Sequence, residues 1–444
     1  MAEVKEKEEL RVTTLVGAGA ALEITGMKDH HSTSAITRSV LNPQPQHGLE
    51  MDNYAAQVEV ANVIFNHLWK EYNQRHPEQQ ILTIDEAYKY FHFEILFHVI
   101  ETLYSYDYFW RGTSKNEKDR PALVDFIKNV LDISWEKLSA GYKSYITTIM
   151  DVVNEYDTCF VQKIDAAENV WYKNWWCDAP FKWDVFTLNY DTTIENSLTS
   201  YEDGFEPINN YNFKRFNLQN LVNSSDHSIN HLHGCILYGT STYKREDTNI
   251  NCYTYGSKDL YKHPSFDKSI DCWIGRWLSD DEFQSKEREL FTPIITGLRK
   301  TDKLLHLPLD AYRWNFERRM MQNNAMVITG YSFGDTYINE VLERMRLYHG
   351  DRCRVVIIDY WPLEDEYEME DIDKLKNFIW NKPQNKCMVH LILKVAQEGM
   401  FEGDIFKQIR RGQFVSRNGQ LMLFVRGFRH AAQYKNEIYN FLQS

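Results

Sequence analysis

Residues 10–21 read L-R-V-T-T-L-V-G-A-G-A-A. Leu10 to Val16 is a short run of apolar and β-branched residues, the composition of a buried strand. It stops at Gly17-Ala18-Gly19-Ala20-Ala21. Glycines directly after a strand let the chain turn tightly and let N–H groups approach a phosphate at a helix N-terminus. The full dinucleotide fingerprint, G-x-G-x-x-G, is incomplete, because Leu22 holds the third position. No acidic residue closes an obvious second strand about twenty residues later. Alone, the motif leaves a tight strand exit without ligand equally open.

Three later segments repeat the pattern of a strand that ends in chemistry. Trp183 to Leu188 runs into Asn189-Tyr190-Asp191. An Asn there holds a water or a carboxamide through its two-sided hydrogen bonding. The competing role for Asp191 is an Asx-type cap on Thr192 to Ser197. A second apolar segment ends in His231-Leu232-His233-Gly234. Histidine beside glycine has room for substrate and titrates near neutral pH. His231 and His233, at i and i+2 on a strand, would point the same way, yet no carboxylate or Cys has convincing metal spacing. Ala325 to Thr329 ends in Gly330-Tyr331-Ser332-Phe333-Gly334-Asp335, followed by Ile338-Asn339. Ser332, Asp335 and Asn339 are candidates for ribose or phosphate contacts, and Asp335 is equally an N-cap. Arg354 to Asp359 is the cleanest buried strand. Short apolar strands between helices indicate a parallel α/β sheet, whose ligands sit outside the carboxyl ends of the strands.

Residues 50–175 carry helical spacing instead. Val60, Val63, Ile64, His67 and Leu68 share one face, Ile84 opens a helix that runs on through Phe91 to Tyr104, and Pro121 to Leu138 and Tyr142 to Glu155 add two more. Strand-like runs return at Val389 to Val395 and Leu421 to Val425, before a last helix. The expected division is residues 1–48 as a first βα unit, 49–178 as a helical insertion, 179–360 as the rest of the nucleotide-binding domain, and 361–444 as a C-terminal α/β extension.

Composition narrows the classes. Gly and Pro number 31 of 444 residues and hydrophobic residues are 43%, which excludes collagen-like, low-complexity and disordered chains. The net charge of −13 disfavours a general phosphate-backbone binder. Residues 1–11 are charged and lack an apolar signal core, and no stretch approaches the ~18 apolar residues of a membrane span. Seven scattered cysteines without a C-x-x-C pair suit a reducing cytoplasm and make a Cys-type zinc site unlikely to form.

In order and spelling, G-A-G-A-A, T-L-N-Y-D, H-G and G-Y-S-F-G-D resemble the SIR2-like (sirtuin-type) domain. The nearest subgroup is that of bacterial antiviral defence NADases, as in SIR2–HerA and Thoeris-type systems. F-H-F-E-I-L-F at residues 91–97 also resembles the family's N-F-E-x-x-L stretch. The resemblance spans roughly residues 10–360. It implies a Rossmann-like parallel sheet of sirtuin type with an inserted helical module and no zinc module. It implies that NAD+ is the substrate, hydrolysed to nicotinamide and ADP-ribose, and that no metal takes part. Asn189 and His233 match the catalytic Asn and His, and Asp191 the neighbouring acid. Gly17, Ala18, Gly19 and Ala20 match the pyrophosphate loop; Gly330, Ser332 and Asp335 match the segment that holds the adenosine ribose. Ala21 stands where the family usually has Ser, so one hydroxyl contact to the dinucleotide is missing. The absent C-x-x-C pairs speak against a protein deacylase, which stays an alternative beside a non-catalytic NAD- or ADP-ribose-sensing scaffold. The resemblance further implies an effector of antiphage defence by NAD+ depletion. It would be gated by homo-oligomerisation, by a HerA-like partner ATPase or by a phage-derived trigger, with no membrane contact and nucleic acid met only through a partner.

Overall fold

β1 (Arg11–Val16) is buried at five of its six positions, and Thr13 and Thr14 are as enclosed as Val12 and Leu15. A strand buried on both faces needs cover on both sides, which is the environment of a parallel α/β sheet. The computed structural model describes residues 10–24, 32–43, 51–113, 129–239, 242–244, 251–253, 260–267, 293–297, 306–360 and 406–444. Its strands continue with β2 (Lys182–Thr187), β3 (Phe205–Pro207), β4 (Lys214–Phe216), β5 (Ser228–His231), β6 (Tyr238–Gly239), β7 (Thr242–Lys244), β8 (Asn251–Tyr253) and β9 (Tyr261–Lys262). They finish with β10 (Ala325–Thr329), β11 (Arg354–Ile358), β12 (Phe406–Arg410), β13 (Gln413–Ser416) and β14 (Leu421–Phe424).

Six strands run parallel in the order β5-β2-β1-β10-β11-β14. The chain starts at β1, moves outward to β2 and β5, then returns to the far side of β1 for β10, β11 and β14. This is the doubly wound, Rossmann-like order, and its reversal point lies between β1 and β10. β13 and β12 extend the β14 edge antiparallel. Residues 406–444 therefore continue the central sheet and do not stand apart from it. A smaller antiparallel sheet has the order β3-β4-β9-β6, and β7 pairs with β8.

Alternating side chains divide the core in two. Leu15, Met326, Ile328, Val355, Ile357 and Leu423 face one side. They meet helices α1 (Thr33–Leu41), α2 (Met51–Arg75), α3 (Ile84–Tyr90), α4 (Phe93–Thr113) and α5 (Trp135–Lys163), all of which lie between β1 and β2 in the chain. Val12, Val16, Val327, Val356 and Phe424 face the other side. There α6 (Val170–Cys177) packs its Trp175 and Trp176 against Trp183, Phe428 and Tyr439 near the C-terminus. The Trp175 and Phe428 rings meet edge to face at 5.0 Å, and the Tyr439 hydroxyl donates to the Trp175 carbonyl at 2.6 Å. Much of the aromatic content is thus core.

Several local expectations change. The run from Ile84 to Tyr104 is two helices, not one: α3 is closed at its start by a Thr83–Glu86 capping box and ends at Phe91, and α4 begins at Phe93. The Phe93 N–H donates to Thr37 Oγ1 at 2.9 Å, so a buried side chain of α1 supplies the acceptor at the break. Residues 121–128 lie outside the described residues. The helix expected to run on to Leu138 is interrupted by Asp132 at φ 53°, and α5 starts only after Ser134, whose hydroxyl caps Lys137 N–H. The Val389–Val395 run lies outside the described residues. No helix among the described residues is long and apolar enough to cross a membrane.

Candidate active site

The carboxyl ends of β1, β2, β5 and β10 lie on one edge of the sheet, and each carries one of the four motifs. Beyond β2, the Asn189 N–H donates to Thr187 Oγ1 at 3.0 Å, and its carbonyl accepts from His231 Nδ1 at 3.2 Å. Both backbone groups are held, while among the described residues the Asn189 carboxamide meets no hydrogen-bond partner. Asp191 is buried and uses both oxygens: Oδ2 accepts from Tyr156 OH at 3.0 Å, and Oδ1 from Thr193 N–H and Oγ1 at 3.1 and 2.5 Å. Those are the contacts of a turn cap that also ties the loop to α5.

The register pairs Thr187 of β2 with His231 of β5. Asn189 and His233 each stand two residues beyond that pair, in the turns that follow the two adjacent strands. The two histidines do not share a direction, because β5 ends at His231 and residues 232–233 turn. His231 points inward to Glu195 Oε1 at 2.7 Å. His233 Nε2 lies 3.4 Å from Asp335 Oδ2, with the two side chains 8% and 14% exposed. Gly234 adopts φ +85°, and a Cβ there would collide with the Pro293 carbonyl, since residue 234 bridges to Ile294.

Beyond β10, Asp335 divides its carboxylate between two tasks. Oδ1 accepts from Tyr337 and Ile338 N–H at 3.0 and 3.3 Å, as N-cap of α9 (Thr336–His349), which follows α7 (Leu218–Val222) and α8 (Leu309–Gln322), while Oδ2 faces His233. Asn339 engages both amide atoms within the protein. Its Oδ1 accepts from Tyr331 OH at 3.0 Å and its Nδ2 donates to the Phe333 carbonyl at 2.8 Å, which holds Phe333 at φ +57°. Ser332 is exposed.

Gly17 and Gly19 abut Gly330 across the reversal point. A Cβ on Gly17 would lie 2.5 Å from the Gly330 oxygen, and one on Gly19 2.9 Å from its Cα. The amides of Gly17, Gly19 and Ala20 donate to Thr329, Gly330 and Gly17 carbonyls. Ala18 is the exposed residue of the loop. Close backbone packing between two strand exits thus requires these glycines even before any ligand is considered.

A family model described as the SIR2-like domain matches residues 184–381. This stretch is similar to the SIR2-like domain. The match takes in T-L-N-Y-D, H-L-H-G and G-Y-S-F-G-D, and the strand that carries G-A-G-A-A pairs directly with β2 and β10 of that domain. SIR2-like domains use NAD+ and are typically enzymes, so the match suggests an NAD-related activity. No curated protein matches the chain.

Beneath this edge of the sheet runs a buried chain of charges. Lys262 of β9 contacts Asp203 Oδ2 at 2.5 Å and stands 3.9 Å from Glu195 Oε1. Burial opposes the charged form of His231, but the Glu195 carboxylate outweighs it and raises the imidazole pKa. Burial likewise opposes charge on Glu195, and His231 and Lys262 bring its pKa below the ordinary value. Both partners of the His231 ring, the Asn189 carbonyl and the Glu195 carboxylate, are acceptors, an arrangement that suits a ring donating from both nitrogens. Glu195, His231 and Cys235 also bring potential metal-ligand atoms within 4.8 Å of one another. In this arrangement the His231 and Glu195 atoms that would face a metal are hydrogen-bonded to each other.

Asp157 completes the surroundings. It accepts from Thr192 N–H and Oγ1 at 2.9 and 2.6 Å, and burial, then the neighbouring Asp191, push its pKa up to about 7. Glu195, Lys262, Asp203, Tyr156 and Asp157 escaped the sequence reading. Glu195 follows Asp191 by four residues in the turn after β2, while the packing of α5 and of the small sheet brings Tyr156, Asp157 and Lys262 to that turn.

Proposed function

We propose that this protein is an NAD+ glycohydrolase, cleaving NAD+ to nicotinamide and ADP-ribose. The observation that supports the reading is an Asn189 side chain that makes no hydrogen bond among the described residues, in the turn directly after β2, with His233 in the turn directly after the paired strand β5. The reversal point between β1 and β10 is where a doubly wound sheet holds a dinucleotide.

In the proposed reaction, Asn189 orients the attacking water. The water oxygen bonds to ribose C1′ as the C1′–N bond breaks, and that electron pair returns to the pyridinium ring to give neutral nicotinamide. The water proton passes to His233 and then to solvent, a general-base contribution of about 10²–10⁴-fold. Asp335 faces the imidazole from the N-terminus of α9 and stabilises it as it gains charge. Asp191 supports the reaction only through the turn it caps. The Gly17–Ala20 loop and the Gly330–Asp335 segment flank the dinucleotide, with Ala18 and Ser332 as the exposed contacts.

The wider reading is a cytoplasmic effector that depletes NAD+ in antiphage defence. It is held inactive until a homo-oligomer, a HerA-like ATPase partner or a phage-derived trigger releases it. The motif resemblance supports this part. The test is to incubate purified protein, alone and with the candidate partner, with NAD+ and to follow nicotinamide and ADP-ribose. Asn189→Ala should abolish release; an Asn189→Ala variant as fast as wild type refutes the assignment. Turnover only with an acyl-lysine peptide would instead identify a deacylase, and binding without turnover a scaffold.

A further inference from the structure

We propose that His231 and Glu195, backed by Lys262 and Asp203, form a buried positioning relay that sets the backbone of Asn189 and through it the aim of the carboxamide. The inference rests on the hydrolase reading for its catalytic consequence, but its structural content stands on the contacts alone.

The buried Asn189 side chain makes no hydrogen bond among the described residues, so packing and its backbone set its direction. That backbone is pinned at two points, the Thr187 hydroxyl on its N–H and His231 Nδ1 on its carbonyl, at 3.0 and 3.2 Å. A carbonyl oxygen only accepts, so His231 must present Nδ1–H to it. The other ring nitrogen meets Glu195 Oε1 at 2.7 Å, which fixes the ring orientation. Glu195 is in turn set by Lys262 at 3.9 Å, and Lys262 by Asp203 at 2.5 Å. Tyr238 packs edge-on against the His231 ring, with centroids 5.8 Å apart.

The signs alternate from Asp203 to His231, so the chain carries no net buried charge. A purely structural core would be as stable with apolar groups of similar volume. Four ionisable groups ending on one carbonyl make sense where orientation matters, since a misplacement of about 1 Å at a reacting group costs on the order of 10²-fold. The relay also links the β3-β4-β9-β6 sheet to the site, because Lys262 belongs to β9.

The test uses the full chain with His231→Leu, His231→Asn and Glu195→Gln. Steady-state NAD+ turnover, thermal melts and amide hydrogen exchange of the peptide spanning residues 187–191 are measured on each. His231→Leu should lower kcat by about 10- to 100-fold with little change in KM, and should speed exchange at Asn189. His231→Asn places an amide N–H near the position of Nδ1 and should restore slow exchange and most of kcat. Glu195→Gln removes the carboxylate that takes the Nε2–H and should lower kcat and speed exchange at Asn189, though less than His231→Leu; wild-type kcat and exchange in this variant would remove Glu195 from the relay. A folded His231→Leu with unchanged kcat and exchange overturns the relay, as does equal impairment by Leu and Asn. Should His231→Leu fail to fold, ¹⁵N-histidine spectra of wild type decide, because an unprotonated Nδ1 on His231 is incompatible with the relay. A wild type that turns over NAD+ neither alone nor with the candidate partner defeats the hydrolase reading, while exchange and ¹⁵N spectra still judge the relay.

Discussion

Asp335→Asn separates two jobs that one carboxylate performs. Oδ1 caps α9, and an amide oxygen caps a helix about as well as a carboxylate oxygen. Loss of the charge at the helix N-terminus costs about 0.3–1 kcal/mol. Oδ2 faces His233 Nε2 at 3.4 Å. Two unit charges at that distance interact by about 5 kcal/mol at an effective dielectric near 20, and by about 1 kcal/mol in bulk water. Side chains that are 8% and 14% exposed fall between those limits. A transition state in which His233 takes up a proton should therefore lose about 1.4–4 kcal/mol, or about 10- to 1,000-fold in kcat. Nicotinamide release and urea unfolding are measured side by side. The expected pairing is a large fall in kcat with stability changed by less than about 1 kcal/mol. Wild-type kcat in a folded Asp335→Asn would refute the role given to the carboxylate; a stability loss above about 2 kcal/mol would show that the amide does not replace the cap.

Two further outcomes follow from the same geometry. Gly330→Ala should destabilise by about 2–5 kcal/mol, combining a left-handed φ of +63° with a Cβ driven into the Gly19–Ala20 backbone; a urea midpoint shift worth less than about 1 kcal/mol would mean the two loops can part freely. Asp157 has a folded pKa of about 7 against an ordinary 3.8, so the folded state holds its proton more tightly and stability contributed by this group falls as pH rises from about 4 to about 7. Asp157→Asn removes that dependence. The difference in melting temperature, variant minus wild type, should grow across that window, and a pH-independent difference would contradict a buried, raised carboxyl.

The strands were legible in the sequence because their burial leaves a local mark. Leu10–Val16, Trp183–Leu188, Ala325–Thr329 and Arg354–Asp359 each fall within a residue of β1, β2, β10 and β11. Asn189 and His233 were legible as strand-end chemistry for the same reason: a polar side chain directly after an apolar run is where a parallel sheet meets its ligand. The helix break between Phe91 and Phe93 was not legible, because the acceptor for the Phe93 N–H is the Thr37 hydroxyl, 56 residues earlier. Asn339 read as a sugar ligand because no local rule distinguishes an exposed amide from one that braces Phe333.

By itself the sequence determined the class of sheet, the four chemistry-bearing strand ends and their order along the chain. Those properties rest on periodicity and on residues adjacent in the chain. Tertiary structure alone decided which ends meet. It set Gly17 and Gly19 against Gly330, turned His231 inward to Glu195 and His233 outward to Asp335, and brought Lys262 beneath the Asn189 loop. Strand order and register make those contacts between residues tens to hundreds of positions apart, and no local spacing encodes them.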